Sequence, residues 1–210
     1  MQVQSLPRDL SLSSEFELLQ HFVPELQTLR AVGGPAALKM GGPALRGSPQ
    51  LEIRGRFTFD ATVAPREPFG IAVLCGSDGK CARLVIDCTA GGSDGLPCTA
   101  GVDATAYGGH VVEAPLLHAP GRAGGGLVTV HAFLDGGLLE VIFNNRTAVS
   151  TVAPRASEDA VGLKTFGPGP QDRASPDLVG LASRLQALGI SIFLLLYAIS
   201  GKTGLGLALN

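Results

Sequence analysis

The sequence contains no tryptophan, and only 5% of its 210 residues are aromatic. Charged residues are also scarce at 16%, and 16 basic against 18 acidic residues give a formal net charge of −2. A nucleic-acid-binding protein usually has a basic surplus or a basic stripe, and this chain has neither. We therefore expect no nucleic-acid partner.

An apolar leader is also missing from the first twenty residues. They carry Arg8, Asp9, Glu15 and Glu17 and contain no apolar stretch long enough for the hydrophobic region of a secretory signal. We expect no N-terminal signal peptide, and the sequence leaves the localisation open.

Glycine and proline are abundant, with 29 and 14 residues, and hydrophobic residues make up 45% of the chain. This composition is typical of a turn-rich chain that can still bury a core. Because helix-favouring residues do not dominate, a helical bundle is disfavoured. The length suits one domain, or one domain with an appendage.

The clearest local pattern runs from Leu51 to Val63. Apolar residues occupy the odd positions, with Gly55 as the one gap, and polar residues occupy the even positions. This period of two predicts a half-buried strand of an antiparallel sheet.

Shorter apolar runs separated by turn residues predict further strands. They are Phe69–Cys75, Ala82–Cys88, Val111–Leu117, Leu127–Leu134, Leu138–Phe143, Thr147–Ala153 and Ala160–Phe166. The stretch from Ala31 to Gln50 has no periodicity and is predicted to be a long loop. Many short strands without intervening helices predict an all-β fold, namely an antiparallel β-sandwich of the lectin-like jelly-roll type.

No catalytic constellation stands out. The acidic residues are scattered in turns (Asp78, Asp94, Asp135) or on outward strand faces (Glu52, Asp60), where we expect them to be solvated. No two of the histidines share metal-ligand spacing on one element; they are His21, His110, His118 and His131. Neither a G-x-S-x-G elbow nor a phosphate-binding loop is present. We therefore assign no catalytic residue, no metal ligand and no cofactor.

The four cysteines are Cys75, Cys81, Cys88 and Cys98. Four cysteines allow three disulfide pairings, and the sequence does not choose between them. Free thiols are the more ordinary expectation. A disulfide between Cys75 and Cys81 across a hairpin turn is the alternative.

Two further features have interpretations that depend on where in the cell the protein is located. Asn145-Arg146-Thr147 is an N-glycosylation sequon in a predicted hairpin turn. The apolar run Leu185–Ser200 is shorter than the roughly 20 residues of a spanning helix. It is open to three interpretations: a membrane anchor, a packed terminal helix, or a tail foreign to the domain.

Several segments, taken in order, resemble the C-terminal β-sandwich of glycoside hydrolase family 32, the invertase, levanase and inulinase family. SLPRDLSL (Ser5–Leu12) looks like that family's P-R-x-L-x-L segment, and HFVPELQTLR (His21–Arg30) is similar to its P-V-P-E-L segment. LEIRGRF and PFGIAVL resemble two of its strands. The best match, Val128–Thr151, resembles a hairpin of the form V-F-V-D-x-S-x-V-E-V-F-x-N-x-G-R, with matching residues at Asp135, Glu140, Val141 and Asn144.

The resemblance implies three regions. Residues 1–30 would be an interdomain linker with the first sandwich strands, residues 31–169 the β-sandwich, and residues 170–210 an unrelated tail, either a helix or a membrane anchor. In the family, the catalytic carboxylates lie in a five-bladed propeller with W-M-N-D-P-N-G, R-D-P and E-C motifs. This chain has no Trp and no N-D-P run, its Arg8-Asp9 precedes Leu10, and its Asp87-Cys88 is not Glu-Cys.

The resemblance therefore implies a non-catalytic sandwich module of a sucrose- or fructan-cleaving hydrolase, with a β-propeller as its partner and fructan or sucrose as its expected ligand. Two alternatives remain. One is a stand-alone carbohydrate-binding module, which the scarcity of aromatic residues disfavours. The other is an interaction module tethered to a membrane through Leu185–Ser200.

Overall fold

The computed structural model describes residues 5–30, 38, 43–47, 49–58, 65, 67–89, 98–117, 127–154, 158–167 and 192–198. The strands in these residues are β1 Arg8–Leu12, β2 Leu18–Phe22, β3 Leu45–Arg46, β4 Gln50–Thr58, β5 Phe69–Cys75, β6 Ala82–Asp87, β7 Thr99–Asp103, β8 Val111–Pro115, β9 Leu127–Asp135, β10 Leu138–Phe143, β11 Thr147–Val152, β12 Gly162–Phe166 and β13 Ile192–Ala198. Short 3₁₀ helices span Pro24–Leu29 and Thr105–Tyr107.

Two antiparallel sheets form the body of the molecule. One has the strand order β11-β10-β9-β4-β13, and the other has the order β3-β12-β5-β6-β7-β8. Apolar side chains from both sheets share one core cluster, which includes Ile53, Ile71, Leu84 and Val141. The predicted all-β, antiparallel, sandwich-like fold is confirmed.

The alternation in β4 is confirmed over the described part of the predicted strand. Leu51, Ile53 and Phe57 are buried in the core. Strand β4 is described as far as Thr58, and residues 59–63 lie outside the described residues.

The shorter predicted strands are also present. Phe69–Cys75 and Leu138–Phe143 have the predicted bounds, and the other five differ from prediction by one or two residues at an end. Strand β7 was not predicted. The predicted loop from Ala31 to Gln50 is interrupted by β3, which pairs with β12 through Leu45 and Leu163.

The stretch Ile192–Ala198 is a strand and not a helix. It pairs antiparallel with β4, from Ile192 opposite Phe57 to Ala198 opposite Leu51. A short apolar run is compatible with either conformation, and the edge of β4 offers backbone partners that a helix would leave unused. The rest of Leu185–Ser200 lies outside the described residues. Among the described residues, no helix is long and apolar enough to cross a bilayer.

The N-terminal segment, residues 5–30, belongs to neither large sheet. Strands β1 and β2 form a separate antiparallel hairpin, which the 3₁₀ helix at Pro24–Leu29 follows. Phe22 packs with Phe133 and Ile142 in a second apolar cluster. Since these two partners alternate with core residues along β9 and β10, the N-terminal segment covers the outer face of the five-stranded sheet.

Candidate functional site

Two buried glutamates mark the outer face of the five-stranded sheet. Glu52 on β4 and Glu140 on β10 both lie opposite Phe133 on the intervening strand β9. Because neighbouring strands are about 4.8 Å apart, the backbones of the two glutamates are about 10 Å apart. Their exposed fractions are 1% and 0%, so both carboxylates need polar partners.

Glu52 is surrounded by three cationic or imidazole side chains. Arg30 of the N-terminal segment donates from Nε (2.7 Å) and Nη2 (2.9 Å) to the two carboxylate oxygens. Arg54 donates from Nε at 2.8 Å, and His131 contacts Oε1 through Nε2 at 2.9 Å. The bidentate arrangement with Arg30 is the geometry in which arginine binds a carboxylate most strongly.

Glu140 is also held from the N-terminal segment. The backbone N–H of Leu6 donates to its Oε1 at 2.6 Å, and Arg8 Nη2 donates to its Oε2 at 3.0 Å. The same Nη2 of Arg8 donates to Ser150 Oγ at 3.0 Å. Each buried glutamate of the sheet therefore pairs with one arginine of the N-terminal segment.

The cluster changes the proton affinity of its members. Burial opposes ionisation of Glu52, but the hydrogen bonds from His131, Arg30 and Arg54 outweigh it and hold the pKa of Glu52 well below its ordinary value. Burial is the main cause that lowers the pKa of His131, against the opposing hydrogen bond with Glu52. Glu52 is thus an ionised carboxylate beside a neutral imidazole near neutral pH.

The expectation that Glu52 is solvated was wrong. Its side chain points away from the core, as the alternation of β4 predicted, but the N-terminal segment covers that face. A sequence signal existed for Glu140, because a lone charge in the apolar run of β10 indicates a buried partner. Asp78 is an exposed turn residue as expected, and Asp135 is exposed but is the last residue of β9, whereas Asp60 and Asp94 lie outside the described residues.

Aromatic contacts complete the docking of the N-terminal segment. The Phe22 ring meets His131 at 4.9 Å and Phe133 at 4.8 Å between ring centroids, both edge-on. The Arg8 guanidinium lies 6.0 Å from the centroid of Phe22. Ion pairs and ring contacts together attach residues 5–30 to the sheet.

The histidines do not form a site together. His131 is in the Glu52 cluster, His21 lies in β2 and His110 is exposed, while His118 lies outside the described residues. Among the described residues, no group of three His, Cys, Asp or Glu side chains could hold a metal ion.

The structure joins the cysteines in two disulfides. Cys75 is bonded to Cys81 across the turn between β5 and β6, and Cys88 is bonded to Cys98 across the connection from β6 to β7. The structure therefore contains the cross-hairpin pair and a second pair, instead of the free thiols that we considered the more ordinary outcome. The disulfides therefore flank β6, because Cys81 directly precedes the strand and Cys88 directly follows it.

Asn145 lies in the three-residue connection between β10 and β11, which runs from Asn144 to Arg146. It is partly exposed, whereas its neighbour Asn144 is buried. The asparagine of the sequon is therefore half-buried at one end of the five-stranded sheet, and the threonine of the sequon, Thr147, is buried.

A shallow groove of about 130 Å³ crosses the outer face of the other sheet. Its lining consists of Val85, Asp87, Thr99, Gly101, Val102, Asp103, Val111 and Glu113. The carboxylates of Asp87 and Asp103 already accept hydrogen bonds from Thr89 and Thr105. None of these eight described lining residues has an aromatic ring on which a sugar could stack, so the groove lends little support to the carbohydrate-binding alternative.

The fold is similar to parts of several solved enzyme structures. The chain is similar to an exo-inulinase from Aspergillus awamori (TM-score 0.64, 16% identity) and to fructan 1-exohydrolase IIa from Cichorium intybus (0.62, 14%). It also resembles sucrose-6-phosphate hydrolase from Lactobacillus gasseri (0.57, 16%). No protein-family model and no curated protein matches the sequence.

These alignments cover nearly all of this chain and a minor part of the enzymes. They span 93%, 93% and 92% of the chain, but 35%, 40% and 33% of the three solved proteins. At such low identities the likeness establishes the fold alone. The chain therefore has a fold found within fructoside-cleaving glycosidases, and it spans about a third of their length.

Proposed function

We propose that this chain is the non-catalytic β-sandwich module of a family 32 glycoside hydrolase and packs against a β-propeller that carries the catalytic residues. The observation that carries the proposal is the extent of the structural match. It takes in nearly the whole chain but only about a third of the exo-inulinase. The remaining length of such an enzyme would supply the propeller, as a preceding domain or as a separate polypeptide.

The buried glutamates support a non-catalytic role. Retaining and inverting glycosidases need one carboxyl group that donates a proton and one carboxylate that reaches the sugar or a water molecule. Glu52 has a lowered pKa, which is opposite to the shift that a general acid requires. Glu52 and Glu140 are also covered by the N-terminal segment, so a substrate could not approach them.

An exposed apolar patch supports a partner. We use the term overhang for Leu10, Leu12, Phe16 and Leu18 of the β1–β2 hairpin, which have exposed fractions of 65%, 63%, 85% and 52%. Phe16 has a positive φ of 59°, an unfavourable conformation for a bulky residue. A bulky apolar residue that is exposed and held in an unfavourable conformation, within an apolar patch, favours contact with another domain.

The first experiment measures fructose released from sucrose and from inulin by the purified full chain. We expect no release above an enzyme-free blank. Release above the blank would disprove the non-catalytic role, and a Glu52→Gln variant would then test whether the buried cluster is responsible.

The second experiment identifies the domain that contacts the overhang. Cross-linking of the native protein, followed by peptide mass spectrometry, should connect residues 5–30 to peptides with the W-M-N-D-P-N-G motif, in the same or another polypeptide. The contact should weaken in a Leu10→Asp, Leu12→Asp variant and persist in a Val111→Asp, Val112→Asp control, whose exposed valines lie on the other sheet. Cross-links that avoid the overhang would contradict the proposal.

A further inference from the structure

We propose that Asn145 is a site of N-linked glycosylation and that the chain folds in an oxidising compartment where this modification takes place. In the transfer, Nδ2 of Asn145 forms a bond to the anomeric carbon of an oligosaccharide. The bond from that carbon to a lipid pyrophosphate breaks, the pyrophosphate takes the electron pair, and the amide loses one proton.

The turn between β10 and β11 assigns different roles to two adjacent asparagines. Asn144 and Asn145 have φ values of 52° and 57°, in the left-handed region that asparagine tolerates, and the Arg146 N–H donates to the Phe143 carbonyl at 2.9 Å to close the turn. The Asn144 side chain is buried; its Oδ1 accepts from the Thr129 N–H at 2.8 Å and its Nδ2 donates to the Leu117 carbonyl at 2.9 Å. Asn144 therefore stabilises the fold, and it is not itself an acceptor because Arg146 stands where a sequon needs Ser or Thr.

Asn145 is half-buried in the folded chain. Its backbone carbonyl accepts a hydrogen bond from the Gln20 N–H at 2.7 Å, which fixes the turn against the N-terminal hairpin. Within the described part of the chain, the Asn145 amide makes no hydrogen bond. The asparagine that belongs to the sequon is thus the less buried of the two.

The burial of Thr147 indicates when the oligosaccharide is transferred relative to folding. Its hydroxyl is buried and donates to the Pro115 carbonyl at 2.8 Å, while it accepts from the Leu117 N–H at 3.2 Å. A sequon needs this hydroxyl when the oligosaccharide is transferred. The transfer therefore precedes the closure of β11 against β8, on a chain that is still folding.

The cysteines supply an independent observation. All four cysteines are paired in two disulfides. Disulfides persist in the secretory pathway and outside the cell, and they are rare in reducing compartments. The compartment that the cysteines indicate is the one in which a sequon can be modified.

The experiment examines the native protein from its source. The protein is digested, treated with a peptide N-glycosidase in heavy-oxygen water and analysed by mass spectrometry. We expect Asn145 to be converted to heavy-labelled aspartate, while Asn144 in the same peptide remains asparagine. A native population in which Asn145 is unmodified would overturn the proposal.

Variants expressed in the same cells separate modification from folding. Asn145→Asp should lose the glycan and keep the turn, since aspartate tolerates the left-handed conformation. Thr147→Ser should keep both the glycan and the hydroxyl contacts. If Asn145→Asp has the same mobility on a denaturing gel as the wild-type chain, the proposal fails whatever its effect on folding.

Discussion

At the scale of single residues, Glu52 shows how the fold accommodates a buried charge. Its direction followed from the alternation of β4, and its burial followed from a segment more than twenty positions earlier in the chain. A carboxylate that faces away from the core is normally solvated. Here Arg30, Arg54 and His131 replace the water.

Substitution of Glu52 tests the importance of this cluster. Glu52→Gln keeps the shape of the side chain and removes the charge that balances Arg30 and Arg54. We expect a loss of about 3 kcal/mol in the free energy of unfolding, because removal of one partner leaves the others without compensation. Chemical denaturation measures it. The matched control Glu113→Gln, at an exposed carboxylate, should change stability by less than about 0.5 kcal/mol. Equal effects would contradict the role of the cluster.

His131 should make stability depend on pH. Its pKa is lower in the folded chain than the ordinary value of 6.5, so the unfolded chain binds the proton more readily. The stabilisation is therefore complete above pH 6.5 and is lost as the pH falls below it. The lowered pKa of Glu52 acts in the same direction below its ordinary value of 4.5.

The measurement is the free energy of unfolding between about pH 7.5 and pH 5.5. His131→Gln should give a flatter profile than the wild-type chain, whereas the exposed control His110→Gln should preserve the wild-type slope. A His131→Gln profile as steep as that of the wild type would show that another group is responsible.

At the scale of secondary structure, each prediction succeeded or failed according to how clearly an apolar run differed from the turn residues beside it. Phe69–Cys75 and Leu138–Phe143 are apolar runs bounded by turn residues, and their bounds were predicted correctly. Strand β7, with the sequence TAGVD, was missed because its central Gly101 resembles a turn signal. A Cβ at Gly101 would lie 2.2 Å from the Val112 carbonyl oxygen, so the glycine allows β7 and β8 to approach closely.

The disulfides should stabilise β6 according to the length of chain that each one closes. Cys88 and Cys98 are 10 positions apart, and Cys75 and Cys81 are 6 apart. In the chain-entropy account, the double variant Cys88→Ser, Cys98→Ser loses about 3 kcal/mol, and Cys75→Ser, Cys81→Ser loses about 2 kcal/mol. Denaturation of both variants measures these losses. The wild-type chain with its disulfides reduced serves as the reference, and unchanged stability after reduction would contradict the prediction.

At the scale of the whole molecule, the N-terminal segment has two different sides. Its arginines and Phe22 attach it to the five-stranded sheet, whereas the overhang stays exposed. A domain that contacts only the overhang would therefore be fixed to the sandwich through residues 5–30.

Without such a partner, the isolated chain should self-associate. Sedimentation velocity over a range of concentrations should show association for the wild-type chain, because exposed apolar patches cluster in water. Association should decrease in the Leu10→Asp, Leu12→Asp variant. The Val111→Asp, Val112→Asp variant should behave like the wild type, and a purely monomeric wild-type chain would contradict the prediction.

The sequence by itself determined the fold class, most strand positions and the inward direction of Leu51, Ile53 and Phe57. These features follow from the pattern of apolar and polar residues that are close together in the chain. Only the tertiary structure decided that Arg8 and Arg30 meet Glu140 and Glu52, that the four cysteines pair as two disulfides, and that Ile192–Ala198 joins β4. These contacts bring together residues up to 147 positions apart, as between Ala198 and Leu51. Local periodicity carries no information about which distant segment covers a face or an edge, because that outcome depends on the burial and hydrogen bonding of the whole chain.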